Sequence, residues 1–353
     1  MKAFAKLRLV LFYGLGLWLS PSMLEAQSLD DFNSRSFPLE LPCETNFSEQ
    51  KFLVTTQYQQ SNQLLALQAS ALLEVNDPEF IKNTFEEWGF HGVHFIGPNR
   101  NGHSLAVAIR KEMTLVVHRG TRSVVDVLRD IQFLPKPLSV IPGLDGKSHS
   151  GFLRQYLELR KDLLKVLKSE LDLGQNKPIY VTGHSLGGAV AAINALDLHK
   201  LGYLVKGLYT SAQPILGDQV IQGLLSYHIG DRYHRLIRSD DIVPQLPPPA
   251  SIAPLFDDLK LGVAARFVRS LSYSHHPSPA YLADKQGKRS LVSPLIRGQM
   301  FWESVKKEYE SDSLRNLVAK IMERQSNHGP LHYLCSLGAA GSTLKSYSNL
   351  PNQ

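Results

Sequence analysis

A serine between two glycines, in Gly183-His-Ser-Leu-Gly187, has the spacing of a nucleophile elbow. The strand-favouring residues 179–182 precede this stretch, and an apolar helical pattern follows it at once. A serine at such a turn projects its hydroxyl above the sheet, where the oxygen can attack a carbonyl carbon. Gly183 and Gly187 lie where strand and helix pass too closely for side chains. The pattern therefore predicts covalent catalysis by Ser185.

A serine hydroxyl is a weak nucleophile until a base accepts its proton and a carboxylate orients that base. Residues 233–248 read as a strand and then a proline-rich loop, which begins with Asp240 and Asp241. Two histidines that follow this loop, His276 and His328, are candidates for the base, and each is followed by Tyr-Leu at the same offset. The order Ser, Asp, His along the chain resembles that of the α/β-hydrolases.

The elements that must position these residues alternate along the chain. Apolar positions at helical spacing predict helices, and runs of β-branched and aromatic residues predict strands. Helices are expected within 46–75, over 78–88 and 152–171, after the elbow, and over 302–309 and 313–324; strands are expected at 105–109, 114–117, 179–182, 205–210, 233–237 and 267–273, with a hairpin over 281–292. This alternation predicts an α/β fold with a mainly parallel sheet and helices on both faces.

Four motifs together resemble the class 3 (fungal-type) lipase family of the α/β-hydrolases. They fall between residues 105 and 334, and they are the elbow, Asp241-Ile-Val-Pro-Gln-Leu-Pro-Pro, His118-Arg-Gly-Thr121 and His149-Ser-Gly-Phe152. His118 replaces the phenylalanine that is usual in the family. The resemblance implies an α/β-hydrolase-like fold, and it favours Asp241 over Asp240 as the catalytic acid.

The resemblance also implies the remaining catalytic groups. In the family, the residue after the Arg-Gly pair donates its backbone N–H to the oxyanion hole, and the residue after the nucleophile is expected to donate a second, so Thr121 and Leu186 are the expected donors. The catalytic histidine of the family lies near the chain end, at the start of a short helix. This position favours His328 and leaves His276 as the alternative catalytic histidine.

An amphipathic helix is predicted directly after the expected oxyanion residue. Its apolar side chains fall at helical spacing, and they are Val124, Val127, Leu128 and Ile131. Because family lids occupy this position, the resemblance implies a lid that covers the acyl site in water and opens on lipid. A helix docked permanently on the core would show the same pattern.

The start of the chain has the layout of a secretory signal peptide. Basic residues lead into an uncharged apolar run over 9–19, and the small residue Ala26 ends the stretch. The run is shorter than the ~20 residues of a membrane-spanning helix. The sequence therefore predicts a signal peptide over 1–26 and one exported domain over 27–353, in the periplasm or outside the cell.

Cys43 and Cys335 are the two cysteines of the chain. In an exported protein, such a pair can form one disulfide. Class 3 lipases often link their N-terminal segment to the helix beyond the catalytic histidine. The resemblance thus implies a Cys43–Cys335 disulfide and further favours His328.

Composition and motifs argue against several other classes of protein. The hydrophobic content of 43% and the charged content of 20% are those of an ordinary globular protein. The formal net charge of +6 comes without a Lys/Arg-rich run, so nucleic-acid binding is not expected. The thirteen histidines have no metal-ligand spacing, and no second glycine-rich loop exists to hold a phosphate, so no metal or other cofactor is expected.

These features predict a secreted lipase that hydrolyses acylglycerol esters at a lipid interface through an acyl-enzyme. Its partner is then the lipid surface itself, such as a membrane periphery or a lipid droplet. A phospholipase A1 or another carboxylesterase would use the same groups. A catalytically silent lipid-binding module on the same fold is the alternative from a different class.

Overall fold

A computed structural model of the protein describes residues 51–75, 77–98, 102, 104–120, 134–171, 177–283, 289–311 and 328–337. Several predicted features lie outside these residues: the signal peptide, Cys43, Thr121, the amphipathic helix over 124–131 and the helix over 313–324. The prediction of one domain over 27–353 stays a prediction.

Ten strands are present in the described part of the chain. They are β1 (Gly92–Ile96), β2 (Leu105–Ile109), β3 (Thr114–His118), β4 (Pro135–Pro137), β5 (Lys147–His149), β6 (Ile179–His184), β7 (Val205–Ser211), β8 (Tyr233–Arg238), β9 (Ala280–Ala283) and β10 (Arg289–Val292). Eight of them form one sheet in the order β1-β2-β3-β6-β7-β8-β9-β10, and β4 pairs with β5. The sheet is parallel from β3 to β9 and antiparallel at both edges.

Nine α-helices are described. They are α1 (Gln60–Leu72), α2 (Pro78–Glu87), α3 (Ser150–Glu170), α4 (Leu186–Lys200), α5 (Gln219–His228), α6 (Ala253–Asp258), α7 (Gly262–Leu271), α8 (Pro294–Ser311) and α9 (Pro330–Ser336). No helix among the described residues is both long enough and apolar enough to cross a membrane.

The sheet is covered on both faces because successive strand side chains point to opposite sides. In β2, Leu105 and Val107 pack into the cluster formed with α3, α4 and α5. Ala106 and Ala108 pack instead into the cluster formed with α1 and α2. The predicted α/β fold, with a mainly parallel sheet and helices on both faces, is therefore confirmed.

Helix α4, which follows the elbow, is buried along nearly its whole length between the sheet and α3. This burial explains its alanine-rich sequence, since a helix enclosed on all sides is apolar all round. Its one buried carboxylate, Asp197, accepts hydrogen bonds from Tyr156 and Arg160. The charge on α4 is thus paired, as a buried charge must be.

One predicted strand is wrong. Residues 267–273 were expected to be a strand because aromatic and branched residues are frequent there, but the structure has helix α7 over Gly262–Leu271. Ala264, Ala265, Val268 and Leu271 are buried, which is helical spacing, and the first three pack against α6 and α8. The spacing of the buried positions therefore indicates a helix, although the residue types favour a strand. The short edge strand β1 was not predicted.

Cys335 lies in helix α9 and is not a free cysteine. Cys43 lies outside the described residues. The Cys43–Cys335 disulfide therefore stays a prediction.

Candidate active site

Ser185 lies at the turn between β6 and α4, in a backbone conformation that is rare for a residue with a side chain. Its φ is 56° and its ψ is −130°. Holding a residue other than glycine in such a region costs roughly 1–3 kcal/mol, so the surroundings must enforce it. The Ser185 N–H donates to the Ser211 carbonyl at 2.9 Å, and the Gly188 N–H donates to the Ser185 carbonyl at 2.9 Å. Both hydrogen bonds fix the turn.

The two glycines of the elbow are required by close backbone contacts. A Cβ on Gly183 would lie under 3.0 Å from the backbone of Gly187, a separation that real Cβ atoms essentially never show. A Cβ on Gly187 would lie 2.5 Å from the His118 carbonyl oxygen at the end of β3. The steric reason predicted for Gly183 is confirmed, whereas Gly187 is constrained by the neighbouring strand.

His328 lies between Ser185 and Asp241. Its Nε2 is 2.6 Å from Ser185 Oγ, and its Nδ1 is 2.8 Å from Asp241 Oδ2. Since an ionised carboxylate only accepts, Nδ1 carries the ring proton and Nε2 is left to accept the serine proton. The three residues are at most 4% exposed. This arrangement can remove a proton from the serine hydroxyl while the carboxylate faces the resulting imidazolium.

The Asp241 carboxylate has two further hydrogen-bond donors. The Tyr333 hydroxyl donates to Oδ2 at 2.6 Å, and the Val243 N–H donates to Oδ1 at 2.9 Å. Burial, together with the nearby Asp241 charge, raises the pKa of Tyr333 well above its usual value. The hydroxyl thus keeps its proton. Sequence reasoning used this tyrosine only as part of a His/Tyr-Leu pattern and assigned it no role.

Arg238, the last residue of β8, connects the sheet by hydrogen bonds to α9, the helix that follows His328. Its Nη1 donates to the His332 carbonyl at 2.9 Å and to the Ser336 hydroxyl. Its Nε and Nη2 donate to the two Asp240 oxygens at 3.0 and 2.9 Å. The two adjacent aspartates therefore differ in what they contact: Asp240 pairs with Arg238, and Asp241 faces His328.

His276, the alternative catalytic histidine, lies elsewhere. Its ring packs edge-on against Tyr233, the first residue of β8, with centroids 4.9 Å apart. Its Nδ1 accepts the Ser278 N–H at 3.1 Å, and its Nε2 lies 3.3 Å from the Ser226 hydroxyl. Asp241 follows the opposite end of β8, so the structure does not bring His276 together with Ser185. Burial, with a smaller contribution from Arg235, lowers the pKa of His276 to about 2.

Leu186, one of the two expected oxyanion donors, is the first residue of α4. The first N–H groups of a helix have no partner within the helix, and the helix dipole favours negative charge there. The Leu186 N–H therefore lies next to the serine with the polarity that an oxyanion needs. The other expected donor, Thr121, lies outside the described residues.

His118 is buried at the end of β3, where its Nε2 lies 2.7 Å from Asn194 Nδ2 on α4. Burial lowers its pKa to about 3, so the ring is neutral. His149 has a structural position as the cap of α3, where its Nδ1 accepts the Gly151 N–H at 3.0 Å. Neither ring contacts Ser185.

A second imidazole packs against His328. The ring centroid of His184, the residue before the serine, lies 4.9 Å from that of His328. Burial, with a smaller contribution from His328, lowers the pKa of His184 well below its usual value. His184 is therefore neutral and adds no positive charge beside a ring that has to accept a proton. Sequence reasoning did not single out this residue.

No group of three or more histidine, cysteine or acidic side chains with metal-binding geometry occurs among the described residues. The residues around Ser185 bring together a hydroxyl, an imidazole, a carboxylate and a backbone N–H, which are the group types that acyl transfer uses.

Comparison with known proteins finds similarity to lipases. Residues 115–251 match the family described as lipase (class 3). The chain is 36% identical over 139 residues to a lipase of Rhizomucor miehei, a stretch that is 38% of each protein. It is 32% identical over 139 residues to secreted mono- and diacylglycerol lipase 1 of Fusarium solani, which is 39% of this chain and 40% of that protein. The matched stretch thus spans well under half of each relative.

The fold has a counterpart among solved structures. The native propeptide complex of Rhizomucor miehei lipase aligns with a TM-score of 0.51 at 24% identity, over 73% of this chain and 81% of that chain. At this level of identity the likeness concerns the fold alone, which is that of an α/β-hydrolase.

Proposed function

We propose that the chain, whose residues 115–251 match the class 3 lipase family, hydrolyses the carboxylic ester bonds of acylglycerols through an acyl-enzyme. The observation that carries this proposal is the buried series of contacts from Ser185 through His328 to Asp241, at 2.6 and 2.8 Å. A serine, a histidine and a carboxylate in this order are the groups that ester hydrolysis by acyl transfer requires.

The mechanism assigns one task to each group. His328 Nε2 takes the Ser185 proton as Oγ attacks the ester carbonyl, and it returns that proton to the departing alcohol. Asp241 holds the tautomer and stabilises the imidazolium. The Leu186 and Thr121 N–H groups bind the oxyanion of the tetrahedral intermediate. Water activated by the same histidine then releases the fatty acid and frees the serine.

The first experiment compares covalent labelling with turnover. Ser185→Ala should lose both hydrolysis of a nitrophenyl ester and labelling by an organophosphonate, because both need the same Oγ. Ser226→Ala is the matched control, since that hydroxyl contacts His276 instead, and it should retain both. Turnover that persists in Ser185→Ala overturns the proposal.

A pair of histidine variants tests the choice of base. His328→Ala should lower kcat by roughly three or more orders of magnitude, as expected when a triad member is removed. His276→Ala should keep kcat within a few-fold, since the structure gives it no contact with Ser185. Loss of activity in His276→Ala alone would show that the assignment of the base is wrong.

The substrate class follows from the relatives. The Fusarium solani relative is named a mono- and diacylglycerol lipase, so acylglycerols are the proposed substrates. Triolein, a diacylglycerol, phosphatidylcholine and a short nitrophenyl ester should be compared on one preparation. Preference for phosphatidylcholine would identify a phospholipase A1, and preference for the short ester another carboxylesterase. Absence of turnover on all four would identify a silent lipid-binding module.

The site of action is proposed to lie outside the cytoplasm. The N-terminal charge and hydropathy pattern supports export, and relatives from Fusarium solani and Penicillium cyclopium are named secreted lipases. The exported protein should begin near residue 27 by N-terminal sequencing. Reduction should also change its mobility on gels, because it opens the proposed Cys43–Cys335 disulfide; unchanged mobility would contradict that pairing.

A further inference from the structure

A small polar pocket lies beside the loop that carries Asp241 but is separate from Ser185. The polar side chains that line it come from the segment after β7, from β8, from this loop and from the segment before β9, and they include Gln213, Tyr233, Arg235, Gln245, His275 and His276. Its volume is about 30 Å³. Since about 10–15 Å³ of such volume accommodates one water, the pocket has room for a monatomic ion together with one or two waters.

Arg235 brings a positive charge to this pocket without an acidic partner. Its Nη2 donates to the Ser278 carbonyl, and its guanidinium lies over the Tyr233 ring, 5.3 Å from the centroid. Its Nε is buried and has no hydrogen-bond partner among the described residues. Burial lowers the pKa of Arg235, but a guanidinium stays charged. Arg235 as a whole is half-buried, but its buried Nε–H leaves part of the positive charge shielded from water, where an anion stabilises it.

Two other arginines that are partly or fully buried are paired with carboxylates. Arg160 contacts Asp197 at 2.6 Å, and Arg238 contacts Asp240 at 2.9 Å. No carboxylate within 4.0 Å of Arg235 is found in the described part of the chain. Arg235 thus differs from both by lacking an anion from the protein.

Two more polar atoms face the same space without partners. His275 Nε2 and Gln245 Oε1 are buried, and neither is hydrogen-bonded to a described residue. Both lie against Gly298 of α8, where a Cβ would be 2.5 Å from His275 Nε2 and 3.1 Å from Gln245 Oε1. Helix α8 therefore packs closely against these two side chains. Any residue larger than glycine at position 298 would displace His275 or Gln245.

We propose that this pocket binds a small monovalent anion of halide size, such as chloride. Arg235 Nε–H and His275 Nε2–H donate to it, and the Gln245 side chain turns its amide N–H₂ towards it, because amide orientation follows the hydrogen-bond network. Water would satisfy the donors but would leave the guanidinium without a counter-charge. An anion satisfies both requirements at once.

The site joins three parts of the fold. Arg235 belongs to β8, Gln245 ends the short 3₁₀-helix Val243–Gln245 that follows Asp241, and Gly298 belongs to α8. A ligand that binds the folded chain and not the unfolded chain raises stability with its concentration. Chloride should thus raise the unfolding temperature of the whole chain and hold the loop of Asp241 against the sheet.

The experiment measures unfolding temperature in sodium chloride and in sodium gluconate at equal ionic strength. The unchanged protein should unfold at higher temperature in chloride, with a saturating concentration dependence that gluconate does not reproduce. Arg235→Gln should weaken the apparent chloride affinity at least about tenfold, because it removes the charge. Arg269→Gln should keep the chloride response, since Arg269 is exposed and pairs with Asp257.

A second measurement does not depend on the folding of a variant. Crystals of the unchanged protein grown with sodium bromide should show an anomalous peak within hydrogen-bond distance of Arg235 Nε and His275 Nε2. Absence of that peak, or an equal chloride response in Arg235→Gln and the unchanged protein, overturns the proposal. A peak with a response lost in Arg235→Gln but kept in Arg269→Gln supports it.

Discussion

Replacing Tyr333 by phenylalanine tests how the Asp241 carboxylate is held. The hydroxyl donates to Asp241 Oδ2 at 2.6 Å and accepts the Arg238 N–H at 3.1 Å. The ring is fully buried, and phenylalanine fills nearly the same space. Tyr333→Phe therefore removes two hydrogen bonds and leaves the packing of α9 in place.

The size of the effect follows from these two contacts. A hydrogen bond to a charged group contributes roughly 1.5–3 kcal/mol, and a buried N–H left unpaired costs about 1–3 kcal/mol. The free energy of unfolding should thus fall by about 3–5 kcal/mol. The effect on catalysis should be smaller, because His328 and Val243 still donate to Asp241. We expect kcat to fall about tenfold, or ~1.4 kcal/mol, with KM unchanged.

The assay combines urea unfolding with steady-state hydrolysis of a soluble ester. Tyr233→Phe is the matched control, because its hydroxyl donates to Gln213 Oε1 at 2.6 Å, away from Ser185. That variant should lose stability and keep kcat. If Tyr333→Phe matched the unchanged protein in both kcat and unfolding free energy, the reasoning about Asp241 would be refuted.

Three further substitutions have defined outcomes. Gly183→Ala places a Cβ against the backbone of Gly187, so we expect a loss of more than about 3 kcal/mol, measured as soluble yield and unfolding midpoint. Gly223→Ala in α5 meets no atom within 4 Å and should instead raise the unfolding free energy by roughly 0.5–1 kcal/mol. Burial lowers the pKa of His118 to about 3 in the folded chain, against 6.5 as its ordinary value. Below pH 6.5 the unfolded chain therefore binds a proton that the folded chain does not. The free energy of unfolding should then fall by up to about 1.4 kcal/mol per pH unit as the pH drops from 6.5 towards 3. In urea titrations at pH 7 and pH 5, the unfolding free energy of His118→Phe should therefore fall less on acidification; an equal fall would contradict this account.

The features that the sequence predicted well depend on residues that are close together along the chain. The steric requirement on Gly183 comes from Gly187 four residues later, so it is visible within five residues, whereas the requirement on Gly187 comes from His118 of β3. The parallel sheet is visible because strands and helices alternate. The assignments of Asp241, His328 and Leu186 as catalytic groups remain predictions, although the structure places all three at the same end of the sheet.

The features that sequence reasoning missed depend on contacts between distant residues. Tyr333 reaches Asp241 across 92 positions of the chain, and nothing near either residue indicates this contact. The misassigned strand over 267–273 has a different cause: residue preference favoured a strand, whereas burial of Ala264, Val268 and Leu271 against neighbouring elements stabilised a helix. Tertiary packing overrides intrinsic preference in such short segments.

The position of His328, 87 residues after Asp241, has a consequence for biosynthesis. When the ribosome has completed β9, Ser185 and Asp241 have been synthesised, but His328 has not yet been translated. If the proposed function holds, the nascent polypeptide stays inert towards lipid esters at this stage. Only when α9 docks through Arg238 does His328 meet Ser185 and Asp241, so under the proposed mechanism hydrolysis waits until the rest of the fold has been translated.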